Sequence, residues 1–370
     1  MRTAWHLVFA LFSVAACENK RQAPPAAGSA SAPAASAPAS GPTPTPGSGS
    51  SALPAFEPEK LNPFAPIPEG VDKPAIDDET KLGHMLYFDA RLSRGHDVSC
   101  MSCHDLARAG VDGAAQSTGT KKQKGKRNTP TVLNAGGAAA QGWDARATTI
   151  EEFVVMHVAE AEIMGTDEKR LLATLESIPG YAAAFKKAYP DEKPAISTET
   201  FGRALGAYTK KLFARSRWDK YLGGDKSAVT DAELTGVAMF VEAGCTACHQ
   251  GKYLGATQTQ KLGIAKPWPP PAGKDPGRFE LTKQEVDRGM FKVPSLRNVT
   301  RTAPYMHDGS IASLEEVTRL MARHQVGKEL SDPQVSAIVT FLGTLSGDPP
   351  KELAAKPQLP PSGPKTPKPE

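Results

Sequence analysis

Apolar residues recur along the chain mostly at helical spacing. From Ile76 to Phe88, Leu82, Met85, Leu86 and Phe88 fall near the period that lays one apolar stripe along a helix. Thr230 or Asp231 can cap a second helix, in which Leu234, Val237, Ala238 and Val241 form an apolar face that stops at Gly244. A third opens at Ser331, with Asp332 and Pro333 in its first turn, and carries the stripe Val335, Ile338, Val339, Leu342 and Leu345. The pattern predicts a mostly α fold, and the first two helices each lead toward a pair of cysteines.

The two ends of the chain depart from this pattern in opposite ways. Arg2 precedes an apolar run from Ala4 to Ala16, and Val14-Ala15-Ala16 leads directly into Cys17. That arrangement predicts a bacterial lipoprotein signal over 1–16, cleaved so that the Cys17 thiol carries lipid; an ordinary secretory signal is the alternative. Either places the protein on the periplasmic side; with the lipoprotein signal the membrane anchor is through lipid alone, because no later segment has the roughly 20 consecutive apolar residues of a spanning helix. Residues 17–55 are rich in Pro, Ala and Ser and read as a tether, since such a segment buries too little apolar surface to offset its ordering entropy. Residues 347–370, rich in Pro and Lys, are expected to be disordered on the same ground. The body between them is long enough for two domains, assigned to 56–220 and 221–346.

A formal charge of +4 over 370 residues is too mild to argue for nucleic-acid binding, and the basic run Lys121 to Arg127 reads as a solvated loop. The chemistry is carried instead by two copies of CxxCH, one at Cys100, Cys103 and His104, the other at Cys245, Cys248 and His249. Each supplies two thiols to attach a haem covalently and a histidine to ligate its iron. Zinc requires four ligands, and each motif offers three at most. Helix, haem motif, long loop and closing helix is the order of a small cytochrome c domain, in which the haem replaces much of the apolar core. Two c-type haems are therefore expected, one per domain.

Further segments give these motifs a context. Leu82-Gly83-His84-Met85-Leu86-Tyr87-Phe88-Asp89 precedes the first motif, and Arg127-Asn128-Thr129-Pro130-Thr131 and Trp143-Asp144 follow it. Val293-Pro294-Ser295-Leu296-Arg297-Asn298 and Thr302-Ala303-Pro304-Tyr305-Met306-His307-Asp308-Gly309 follow the second, then Met321, Gln325 and Gly327. In this order they resemble the bacterial di-haem cytochrome c peroxidases and their MauG-type relatives. The resemblance implies a peroxidatic haem on His104 and an electron-entry haem on His249, the latter supplied by a small cytochrome c or cupredoxin. It implies Met321 as the second iron ligand of that haem, with Met306 as the alternative, and Trp143 as an electron relay between the haems. It also implies a calcium ion bound by oxygens of Asn128, Thr302 and Pro304, and it makes a homodimer possible.

Two positions depart from the family pattern. The distal histidine that closes the peroxidatic haem in resting family members corresponds to Thr120, and no histidine occurs between His104 and His157. A threonine hydroxyl is a poor iron ligand, so the first haem is expected to be open in every redox state. The family's proton-carrying glutamate falls on Ile163, with Glu162 and Glu160 just upstream. A one-residue shift of the backbone lets Glu162 substitute; without it the proton carrier is lost.

Three readings follow: a peroxidase that reduces hydrogen peroxide to water, a MauG-like oxidase acting on a protein or organic substrate, and a di-haem electron carrier. Replacing Met321 with a non-ligating residue is expected to turn the second haem high-spin in the absorption spectrum and leave the first unchanged. An unchanged spectrum would move the ligand to Met306 or elsewhere.

Overall fold

The computed structural model describes residues 52–370. The expected signal over 1–16, Cys17 and nearly all of the tether over 17–55 lie outside the described residues. Among the described residues no helix is long and apolar enough to cross a membrane.

The predicted helices form close to the expected limits. α1 (Asp78–Phe88) begins where Asp77 accepts the Thr80 amide at 2.8 Å, a side-chain cap on one of the amides that a helix start leaves unpaired. There follow α2 (Ile150–Ala159), α3 (Glu168–Ser177), α4 (Pro179–Ala188), α5 (Thr198–Thr209) and α6 (Arg217–Leu222). α7 (Asp231–Ala243) starts in a Thr230/Glu233 capping box and ends at Gly244 in the left-handed region. A small antiparallel ribbon of β1 (Thr259–Lys261) and β2 (Met290–Lys292) sets Gln260 opposite Phe291. α8 (Leu314–Met321) and α9 (Asp332–Gly343) complete the frame.

The same construction is used twice. α1 crosses α5 at Gly83, where a Cβ would fall 1.9 Å from the Ala204 carbonyl oxygen, and α7 crosses α9 at Gly236, where it would fall 2.1 Å from that of Ala337. Absence of a side chain lets each pair of backbones meet, and each crossing fixes the helix that runs into a CxxCH motif. The loops repeat as well. Asn134 and Asn298 both have φ of 62°, a left-handed conformation that asparagine tolerates better than most residues. Their Oδ1 atoms accept the Ala214 and Gly347 amides, each at 2.9 Å, beyond the closing helix of their own half. Upstream, Thr131 Oγ1 donates to Ala109 O at 2.6 Å and Ser295 Oγ to Tyr253 O at 2.7 Å. Pro130-Thr131 and Pro294-Ser295, with each proline four positions before its asparagine, are thus an internal repeat that sequence reading passed over because only its Pro and Asn recur unchanged.

Two hydrophobic cores result. The first holds Leu82, Leu86, Tyr181, Phe185, Phe201 and Tyr208, and the second Trp218, Val237, Phe240, Ile338 and Phe341. The chain ends cross between them, which changes the expected boundaries. Phe64, assigned by sequence to the first domain, lies in the second core, edge-on to Trp218 at 5.5 Å. The Gly251 amide donates to Pro63 O at 2.7 Å, and the Ile67 amide to Asp219 Oδ1 at 2.7 Å. Asp219 also takes both ends of the Arg297 guanidinium, at 2.7 and 2.8 Å, and neither side chain is exposed.

The carboxy-terminal segment, expected to be disordered, is packed on the first half. Leu353 is fully buried in the first core, and its carbonyl accepts the Tyr208 hydroxyl at 2.7 Å. Further on, Ser177 Oγ meets Thr366 Oγ1 at 3.0 Å, and Glu370 reaches Arg94 and Arg170, each at 2.6 Å. Composition misjudged this segment because it counts only the apolar surface a segment contributes. Proline has already given up backbone freedom, so docking costs little entropy, and one leucine with a row of carbonyl contacts suffices. Leu353→Ala is expected to lower the stability of the first half by about 2–5 kcal/mol, read from the denaturant midpoint of the holoprotein.

Candidate functional site

At the first motif, Cys100–Cys103 form one helical turn started by Ser99, whose amide takes Ser102 Oγ at 2.9 Å. The turn closes with the His104 amide on Cys100 O at 2.8 Å, and Tyr87 holds the His104 carbonyl at 2.6 Å. The second motif turns more tightly after Gly244, with the His249 amide on Cys245 O at 2.9 Å. In both, ring atom Nδ1 faces a carbonyl, Gly110 O at 3.4 Å for His104 and Leu254 O at 2.9 Å for His249. A carbonyl only accepts, so Nδ1 carries the proton and Nε2 presents its lone pair. Burial favours the neutral ring, pulling His104 down to about 4 and His249 below the usual histidine value.

These residues fit haem and do not fit zinc. The cysteines are free, and burial pushes the Cys100 and Cys245 thiols up to about 12, away from the thiolate that zinc needs. Among the described residues no three His, Cys, Asp or Glu groups converge to hold a single ion. Thiols beside an oriented neutral imidazole match a group that is tethered at its rim and ligated at its centre. Such a group, when bound, supplies redox-active iron.

Sequence reading missed Lys292, because a lysine in a short strand carries no motif. It lines a cavity of about 410 Å³ with Ala139, Ala256 and Gln258, and burial lowers its pKa to about 8 despite the carboxylate of Asp144 nearby. Among the described residues it has no salt-bridge partner.

Trp143 stands where the halves meet. Its Nε1 donates to Asn128 O at 2.8 Å, its carbonyl accepts the Lys292 amide at 2.8 Å, and its ring lies edge-on to His307 at 6.2 Å. Asn128 donates its amide to His307 O at 2.7 Å, which brings it to the segment carrying Thr302 and Pro304. Its Nδ2 is bound to Ala114 O at 2.8 Å, turning Oδ1 the other way. Arg127, the last residue of the expected solvated loop, folds inward instead, to Asp144 at 2.7 Å and Asp275 at 2.9 Å. Those two carboxylates draw it out of the basic run, while Lys121, Lys122 and Lys124 stay exposed.

Met321 ends α8, partly buried against the second core, and Met306 is buried in that core with φ of 72°. The segment after Met321 packs on the end of α7 just before the second motif: Lys328 Nζ donates to Glu242 O at 2.6 Å, and Val326 approaches Gly244.

The two positions that depart from the family pattern touch each other. The Thr120 amide donates to Ile163 O at 2.7 Å. Thr120 is buried, and its hydroxyl is taken by Asp97 at 2.8 Å and the Gly95 amide at 3.0 Å. Ile163 packs against the first core. Glu162 pairs with Lys126 at 3.1 Å, and its own backbone amide and that lysine hold its carboxyl below the usual range. His157 went unnoticed in the sequence, since a histidine in mid-helix has no motif around it. Its Nδ1 is buried without a hydrogen-bond partner.

Around the second histidine the backbone is tight. Gly255 has φ of +123°, and a Cβ there would fall 2.2 Å from Pro294 O and 3.1 Å from His249 Nδ1. Gly255→Ala is expected to cost about 1–3 kcal/mol and to disturb the His249–Leu254 hydrogen bond. A fall in the low-spin signal of the second haem, with the first unaltered, is the measurement that checks it.

A family model of di-haem cytochrome c peroxidases matches residues 77–227, and one of cytochrome c matches 234–346. The chain is 40% identical to the cytochrome c551 peroxidase of Nitrosomonas europaea, covering 79% of this chain and 86% of that protein. It is 38% identical to the cytochrome c551 peroxidase of Pseudomonas aeruginosa, with 83% and 90% covered. To the methylamine utilization protein MauG of Methylophilus methylotrophus it is 31% identical, with 78% and 88% covered. The crystal structure of a MauG-like protein associated with microbial copper homeostasis matches with a TM-score of 0.65 and 28% identity, covering 82% of this chain and 97% of that one. Two haem-attachment motifs in twin helical frames and relatedness along most of the chain lead to one assignment: the chain belongs to the di-haem cytochrome c peroxidase and MauG family.

Proposed function

We propose that the protein is a peroxidase that reduces hydrogen peroxide to water, taking two electrons and two protons per peroxide, with the electrons supplied by a small cytochrome c or cupredoxin. The observation that carries this reading is the contrast between the two sites. The segment that follows the methionine-bearing end of α8 packs on the end of α7 just before the second motif, whereas near the His104 motif the Thr120 hydroxyl is committed to Asp97 and Gly95. His104 and His249 serve as proximal ligands, and Met321 fills the second position at the electron-entry haem, which keeps its reorganisation small. Trp143, bonded to both halves, is the relay. The Asn128 side chain and the Thr302 and Pro304 carbonyls form a calcium site, an oxygen-only set that suits this ion. The signal and Cys17 anchor the protein by lipid on the periplasmic side, and a homodimer is the assembly the family suggests.

The same committed Thr120 hydroxyl favours a second reading, a MauG-like oxidase that applies the open site to a protein or organic substrate.

Steady-state peroxide reduction with a reduced cytochrome c decides between these readings. Prompt turnover is expected both from fully oxidised protein and after one-electron pre-reduction. Absence of turnover in both samples sinks the peroxidase reading, and peroxide consumption independent of the donor protein favours the oxidase.

A further inference from the structure

The turn after α2 leaves peroxide chemistry short of a proton carrier. Ile163 is apolar, and Glu162 is paired with Lys126. Another titratable group of this region is placed differently. His157 lies on α2 one helical turn after Phe153, and the two rings stack at 5.0 Å and 19°. Val154, Val155 and Val158 of the same helix turn to the first core, so His157 and Phe153 occupy an adjoining face. Among the described residues neither ring nitrogen of His157 makes a hydrogen bond, and Nδ1 is buried. Nδ1 nevertheless faces Glu160 Oε1 at 3.6 Å, and Glu160 is fixed by Arg146 at 2.5 Å, which is itself held by Asp144 at 2.7 Å. This is an imidazole aimed by a carboxylate, the arrangement that sets the tautomer and direction of a general base. The ring is also near enough to the first motif for a charge on it to be felt at His104, whose Nδ1 side is taken by the Gly110 and Pro130 carbonyls.

Resting on the peroxidase reading, we propose that His157, oriented by Glu160, is the proton carrier at the open face of the first haem, in the role that Ile163 cannot fill. Nε2 of the neutral ring accepts the proton of one peroxide oxygen and returns it to the other. The O–O bond breaks and the second oxygen leaves as water. Two electrons from the donor protein and two protons from solvent convert the remaining oxygen to a second water. Glu160, held in place by Arg146, stabilises the imidazolium formed between the two transfers.

The test uses ferric holoprotein and two readouts. Fluoride affinity, with the position of the fluoride charge-transfer band, reports a hydrogen-bond donor at the open face without any turnover. Stopped-flow reaction with hydrogen peroxide reports proton transfer. His157→Leu is expected to weaken fluoride binding about tenfold or more and to slow the peroxide reaction by about 10²-fold or more. His157→Gln, which keeps a donor but carries no proton, is expected to restore the fluoride band and leave the peroxide reaction slow. Fluoride binding and peroxide reaction both within twofold of wild type in His157→Leu would overturn the proposal, as would loss of the peroxide reaction in Glu162→Gln alone. Should wild type itself fail to react with peroxide, the peroxidase reading falls, and the fluoride series still decides whether His157 faces the bound ligand.

Discussion

A neutral, oriented imidazole at the end of each CxxCH motif is the requirement around which this fold is arranged. It has two parts, burial that keeps the ring uncharged and a carbonyl that fixes Nδ1, and neither is local. For His104 the carbonyl belongs to Gly110 and for His249 to Leu254, so the loop beyond each motif must return to it. That return is pinned by Thr131 on Ala109 and by Ser295 on Tyr253. The frame that carries it is in turn set by helices meeting at Gly83 and Gly236. Removing any of these contacts acts on the iron ligand at a distance, because the ring direction is decided by the loop rather than by the motif.

Charge is placed inside the protein where segments distant in sequence must meet. Asp144, fully buried, lies between Arg127 and Arg146, and Arg127 continues to Asp275 of the other half. Asp219 joins α6 to Arg297 and to the Ile67 amide. Burying such pairs contributes little net stability, since desolvation offsets the attraction, whereas losing one partner leaves an unpaired charge at a cost of about 3–5 kcal/mol. Their effect is therefore selective: they penalise every arrangement in which the partners fail to meet. Trp143 and Asn128 lie beside these charges, so the same network that registers the two halves also positions the residues where the halves meet.

The chain ends show why domain limits drawn from composition drifted. Phe64 precedes the first motif and packs in the second core, while Leu353, in a helical turn beyond α9, packs in the first. Each half is closed by a segment from the far end of the chain, and nothing in local periodicity records which core an isolated apolar residue will enter. The charge run fails for a similar reason: Arg127 shares its composition with exposed lysines but has buried carboxylates within reach.

Much of the function was legible because haem attachment is a local covalent requirement. Two thiols and a histidine must sit within one turn, so the spacing in Cys100–His104 and Cys245–His249 declares the cofactor, and helical periodicity declares the frame. The sequence by itself also located the two family departures, Thr120 and Ile163. What those departures mean was decided only in three dimensions, where the Thr120 hydroxyl is consumed by Asp97, Glu162 turns to Lys126, and His157 faces Glu160 with no hydrogen bond. Attachment chemistry is written in adjacent residues, whereas the fate of a proton-bearing side chain depends on which partners the fold brings within about 3 Å of it.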